Sequence, residues 1–127
     1  MSGTRALMIA SAAYMALAGL GTTFMPRELL VHVRQPDAPI LVVFVQAFGA
    51  LNVAFAMLNW MSRGNTLGGI YGRPLVTANL VHFLMIGLML VRWAVAGAPP
   101  GIMGLTLIYA VFAVWFAAVM FRSPVKA

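Results

Sequence analysis

Four apolar stretches of about 20 residues each follow one another along the chain, and neither Asp nor Glu falls inside any of them. A helix rising 1.5 Å per residue needs about that length to cross a hydrocarbon layer roughly 30 Å thick. The pattern predicts an all-α integral membrane protein, a four-helix transmembrane bundle with residues 1–127 in a single domain. Composition closes off the alternatives. Of 127 residues, 63% are hydrophobic and 8% charged, too little polar surface to cover a water-soluble fold and too little charge for a disordered chain. The formal charge of +6 would suit nucleic acid in a soluble domain, but here the basic residues stand singly at the ends of apolar runs. That placement sets orientation in a bilayer, so no nucleic-acid partner is expected. The absence of cysteine removes disulfides, thiol catalysis and thiolate metal sites.

The first span is expected from Ala6 to Met25, ending at Pro26. A signal peptide is the rival reading, because Arg5 precedes the run and Ala16-Leu17-Ala18 resembles a cleavage site; the apolar run, however, continues past that point. The second runs from Ile40 to Trp60, with Trp60 where an interfacial aromatic belongs. The third extends from Pro74 to about Ala96, and Arg92 near its far end can snorkel to the headgroups. The fourth covers Ile102 to Phe121, opened by Pro99-Pro100-Gly101 and closed by Arg122-Ser123-Pro124. Between the first two spans, Pro26 to Val33 reads as a short interfacial helix. It carries His32, most simply a solvated imidazole, and Glu28, while Asp37 lies just beyond it. With four spans, Arg5, Arg63, Arg73, Arg122 and Lys126 share one side, against Arg27, Arg34 and Arg92 on the other. This bias favours both termini in the cytoplasm.

The residues a bilayer penalises carry the most information: Gln46, Asn52 and Asn59 in the second span, Asn79 and His82 in the third. An amide left without a partner in hydrocarbon costs several kcal/mol. Asn52 lies eight residues before Trp60 and His82 eight after Pro74, so both are expected roughly 12 Å deep and within reach of one another. The expectation is a polar seam of Asn52, Asn59, Asn79 and His82 between spans two and three. Such a seam either locks the helices together or forms a pocket for the head of a quinone-like molecule or lipid, with Arg73 or Arg63 at its mouth. Transport coupled to ions or protons is disfavoured by the lack of any membrane-embedded acid, and His82 has no second titratable residue at comparable depth. Met57 and Met61, like Met85 and Met89, are spaced i, i+4, and His82, Met85 and Met89 share a face that could hold Cu(I). Methionine is also a generic gap-filler, and no Met- or His-rich loop would deliver the metal, so no metal site is assigned. Small residues at four-residue spacing, Ala12 and Ala16, Ala18 and Thr22, Ala50 and Ala54, are expected where helices approach closely. Tyr14, Tyr109 and Trp115 are expected to pack in the core, their polar tips partnered.

The loop from Ser62 to Arg73 is basic and glycine-rich, but it lacks a phosphate-binding pattern and reads as a tight turn facing headgroups. The stretches Gln46-Ala47-Phe48-Gly49-Ala50, Ala56-Met57-Leu58-Asn59-Trp60-Met61, Gly68-Gly69-Ile70-Tyr71-Gly72-Arg73-Pro74 and Asn79-Leu80-Val81-His82-Phe83 resemble small four-helix bacterial membrane proteins, loosely the DoxX-like group. The resemblance covers about the middle third of the chain. It implies a bacterial inner-membrane location and, because some DoxX-like proteins are associated with quinone-linked electron-transfer complexes, an accessory role near a quinone. No catalytic residue comes with it. Lacking a Ser/His/acid set, a thiol or a membrane carboxylate, the chain is not expected to be an enzyme. The expected role is a binding or accessory subunit, within a larger membrane complex or a homo-oligomer. The alternative is a small oligomeric transporter or channel.

Overall fold

The computed structural model describes residues 2–65, 67, 70 and 72–122; Thr66, Gly68, Gly69, Tyr71 and the tail carrying Ser123, Pro124 and Lys126 lie outside the described residues. The fold is all-α: α1 (Ser2–Phe24), α2 (Pro26–His32), α3 (Pro39–Met61), α4 (Arg73–Val95) and α5 (Pro100–Phe121). The four long helices have the length and hydropathy to cross a membrane, and α2 is the expected short helix after the first of them. Proline sets most of the starts. Pro26, Pro39 and Pro100 are the first residues of α2, α3 and α5, and Pro74 is the second of α4, positions where a missing N–H leaves no bond unmade. Ala38 and Pro99, each ahead of a proline, are held extended at φ −96°, ψ 133° and φ −54°, ψ 151°.

Two helices end in the same device built from different residues. At the end of α4, Ala98 donates to the Trp93 carbonyl and Gly97 to that of Ala94, and Gly97 takes φ 94°. At the end of α2, Gln35 donates to the Leu30 carbonyl and Arg34 to that of Val31, with Arg34 at φ 59°. Both are Schellman closures, in which the left-handed position normally belongs to glycine. At Arg34 the side chain makes that backbone cost roughly 1 kcal/mol.

By its internal contacts the chain divides into two units, Met8–Ser62 and Met1–Leu7 with Arg63–Ala127. In the first, α1 and α3 run antiparallel and cross at Gly19 and Gly49. A Cβ on Gly19 would stand 2.7 Å from Val53 Cγ2 and 2.8 Å from the Gly49 carbonyl oxygen; one on Gly49 would stand 2.8 Å from the Gly19 carbonyl oxygen and would collide with the Thr22 and Thr23 hydroxyls. The backbones are in contact there because neither helix carries a side chain at the crossing. Lipid tails are as apolar as leucine, so close packing of this kind, rather than escape from water, holds membrane helices together. Of the small residues expected at close approaches, Ala12 is buried and Thr22 stands beside Gly49, while Ala50 and Ala54 are exposed; the backbones themselves meet at the two glycines. α2 packs on α3 and buries Pro26 and Leu30.

In the second unit, α4 and α5 form an antiparallel hairpin joined through Gly97 and two prolines. α4 buries Val76, Asn79, Phe83, Gly87 and Leu90, and α5 buries Ile102, Thr106, Tyr109, Phe112, Ala113, Phe116 and Val119. Steps of three and four residues keep each set on one helix face. Phe83 fills the centre, its ring centroid 4.8 Å from Phe112, 5.7 Å from Phe116 and 5.3 Å from Tyr109. Gly87 opposes Tyr109, whose Cβ would lie 3.6 Å from an added methyl.

Candidate functional site

Of the expected seam residues, Asn52 and Asn59 belong to the first unit and Asn79, His82 and Arg73 to the second. In the first, α3 presents Gly49, Asn52, Ala56 and Asn59 along one buried face, so the seven-residue spacing of the two asparagines aligns them as expected. Both amides are fully buried. Asn59 Nδ2 donates to Ser11 Oγ at 3.0 Å and approaches Met15 Sδ at 3.7 Å, while Ser11 Oγ in turn donates to the Met8 carbonyl at 3.2 Å. This relay ties α3 to α1. Serine completes it because its hydroxyl accepts from the amide while donating to its own helix.

Asn52 is bonded differently. Its Nδ2 donates to the Phe48 carbonyl on its own helix at 2.9 Å, which fixes the orientation of the amide, since a carbonyl can only accept. Oδ1 therefore points away from that bond, and among the described residues it has no hydrogen-bond partner. One turn toward the start of α3, the buried Thr23 hydroxyl beside Gly49 is likewise without one. Its neighbour Thr22 is satisfied by its own helix, donating at 2.8 Å to the Ala18 carbonyl, and Gln46 Nε2 donates to the Thr23 carbonyl at 3.2 Å. The α1–α3 face thus contains one closed polar relay, at Asn59, and a region with open hydrogen-bonding capacity, at Asn52 and Thr23.

In the second unit, Asn79 is fully buried and donates from Nδ2 to the Leu75 carbonyl at 3.0 Å. His82 is half-buried against aromatic rings, 5.1 Å from Phe83 edge to face and 6.0 Å from Tyr109. Arg73 is exposed as the first residue of α4, and Arg63 is half-buried just past the end of α3. The methionines singled out for copper face outward: Met57, Met61, Met85 and Met89 are each more than half exposed. Tyr109 is buried as expected, whereas Tyr14 is only half-buried. Trp115, also half-buried, joins Ala110, Val111, Val114 and Ala118 in lining an open groove of about 490 Å³ on the outer face of α5. Apart from the Trp115 indole N–H that lining is apolar, so the groove suits a hydrocarbon chain rather than a head.

Ser11, Thr23, Gly19 and Gly49 lay outside the sequence expectation. A signal for Ser11 existed in its four-residue spacing from Met15, which places it on the buried stripe of α1. Neither a family model, a curated protein nor a solved structure matches the chain. The chain is a multi-pass membrane protein with a buried Asn/Ser network.

Proposed function

We propose that this chain is a non-catalytic binding or accessory subunit that holds the polar head of a lipophilic molecule at the buried Asn52. The observation that carries the reading is Asn52: a fully buried amide whose donor is committed to Phe48 and whose acceptor has no partner among the described residues. An open acceptor in hydrocarbon costs several kcal/mol, and a ligand hydroxyl offsets that cost. The head is accordingly a hydrogen-bond donor, either the quinol form of a quinone-like molecule or the free hydroxyl of a lipid. Asn59, on the same buried face of α3, is engaged through its relay to Ser11. Both termini lie in the cytoplasm, on the arginine bias already described. The DoxX-like resemblance, with its quinone-linked complexes, supports the same direction.

Titration of the full chain in nanodiscs with a short-tailed quinol and with the matching quinone, followed by tryptophan fluorescence, tests this reading. Quinol is expected to bind more tightly than quinone, and Asn52→Leu to weaken quinol binding about tenfold, the loss of one buried hydrogen bond. Equal quinol binding by wild type and Asn52→Leu contradicts the assignment of Asn52, and absence of binding by either form, together with absence of a retained lipid, contradicts the reading as a whole.

A further inference from the structure

Residues 25–38 connect the end of α1 to the start of α3, two helices apolar and long enough to span, so this segment lies at the headgroup layer of the bilayer. Met25 and Val31 are exposed along it, at 53% and 69%, and Phe24 just before it at 76%, apolar surface suited to the acyl boundary. Its charges are Arg27, Arg34, Glu28 and Asp37, which cancel, so no diffuse basic patch exists. Arg27 is paired with Asp37 at 3.5 Å. Arg34 is exposed, and its guanidinium makes neither an ion pair nor a hydrogen bond among the described residues. It also occupies the left-handed position that closes α2, the position filled by Gly97 at the end of α4. Glycine would close α2 without strain, so the fold gains nothing locally from arginine at 34.

We propose that Arg34 binds a phosphate group of the surrounding phospholipid, anchoring the α2 segment to the headgroup layer. A guanidinium presents a planar fork of donors matched to two phosphate oxygens, and the Schellman closure fixes the point from which that fork projects. Because the segment carries no net charge, recognition rests on the phosphate itself, and zwitterionic and anionic phospholipids serve alike. This site is separate from Asn52 and stands or falls independently of the ligand proposed there.

The test compares wild type, Arg34→Gly and Arg34→Gln in maltoside micelles, which contain no phosphate, and in nanodiscs of phosphatidylcholine or phosphatidylglycerol. The readouts are the thermal midpoint and the number of phospholipids retained on gentle delipidation. Wild type is expected to gain stability from both lipids over maltoside. Arg34→Gly is expected to melt above wild type in maltoside, its backbone strain relieved, yet to lose roughly half or more of the phospholipid gain. Arg34→Gln is expected to lose the same gain without the compensating rise, which separates the contact from the strain. A full phospholipid gain in both variants overturns the proposal, as does the absence of any such gain in wild type. A gain confined to phosphatidylglycerol overturns it too, because the recognised feature is then surface charge rather than phosphate.

Discussion

Gly49→Leu is expected to separate α1 from α3. The added side chain meets the Gly19 carbonyl oxygen at 2.8 Å from its first carbon, with the Thr22 and Thr23 hydroxyls closer still. Rotating χ1 relieves nothing, because the obstruction faces Cβ and part of it is backbone. The helices must move apart, and the Asn59 to Ser11 bond, 3.0 Å long and on the same interface, is stretched with them. Overpacking at a contact of this kind costs about 1–3 kcal/mol, and the lost hydrogen bond adds roughly 0.6 kcal/mol or more. Unfolding in mixed micelles should register a loss of about 2–4 kcal/mol. Gly21→Leu is the control: nothing lies within 4 Å of its Cβ position, and a better helix former there should leave stability unchanged or slightly raised. A Gly49→Leu protein as stable as the control would show that the glycine crossing does not hold the helices together.

Phe83→Ala is expected to produce the corresponding loss in the α4–α5 hairpin. Phe83 is fully buried against the rings of Phe112, Tyr109 and Phe116, with centroids 4.8, 5.3 and 5.7 Å away. In a water-soluble protein such a truncation costs about 3–5 kcal/mol. Part of that figure is transfer from water, which a bilayer does not supply, because the separated helices are solvated by lipid. The packing and ring–ring terms remain, and the expected loss is about 2–3 kcal/mol. Leu84→Ala, one residue on and 45% exposed, should fall within roughly 0.5 kcal/mol of wild type. Equal losses at positions 83 and 84 would mean that the aromatic stack is not the core of this hairpin.

The spans were legible because two physical constraints coincide in the sequence: bilayer thickness sets the length of an apolar run, and proline restricts where the next helix begins. Pro26, Pro39, Pro74 and Pro100 each fall within the first two residues of a helix. The partners inside the bilayer were less legible. Depth alone brings Asn59 near any polar group at its level, and the one mark on Ser11, a small hydroxyl residue in an alanine-rich run, is its four-residue spacing from Met15. Alanine spacing was a poor guide to the closest approach between α1 and α3, which falls at glycines, while Ala50 and Ala54 are exposed. Gly19 and Gly49 lie in different spans, and only the antiparallel register brings them opposite each other. Arg34 runs against local preference altogether: the left-handed closure of α2 would be read from a glycine, and the chain has none there.

The most direct test of a bound lipophilic head is native mass spectrometry of the full chain released gently from its own membrane, wild type beside Asn52→Leu. The account predicts the 13.6 kDa subunit, alone or within a larger complex, carrying a hydroxyl-bearing lipid or quinol that the Asn52→Leu protein loses. A homo-oligomer free of any such molecule would contradict it and make transport through an assembly of this chain the better reading.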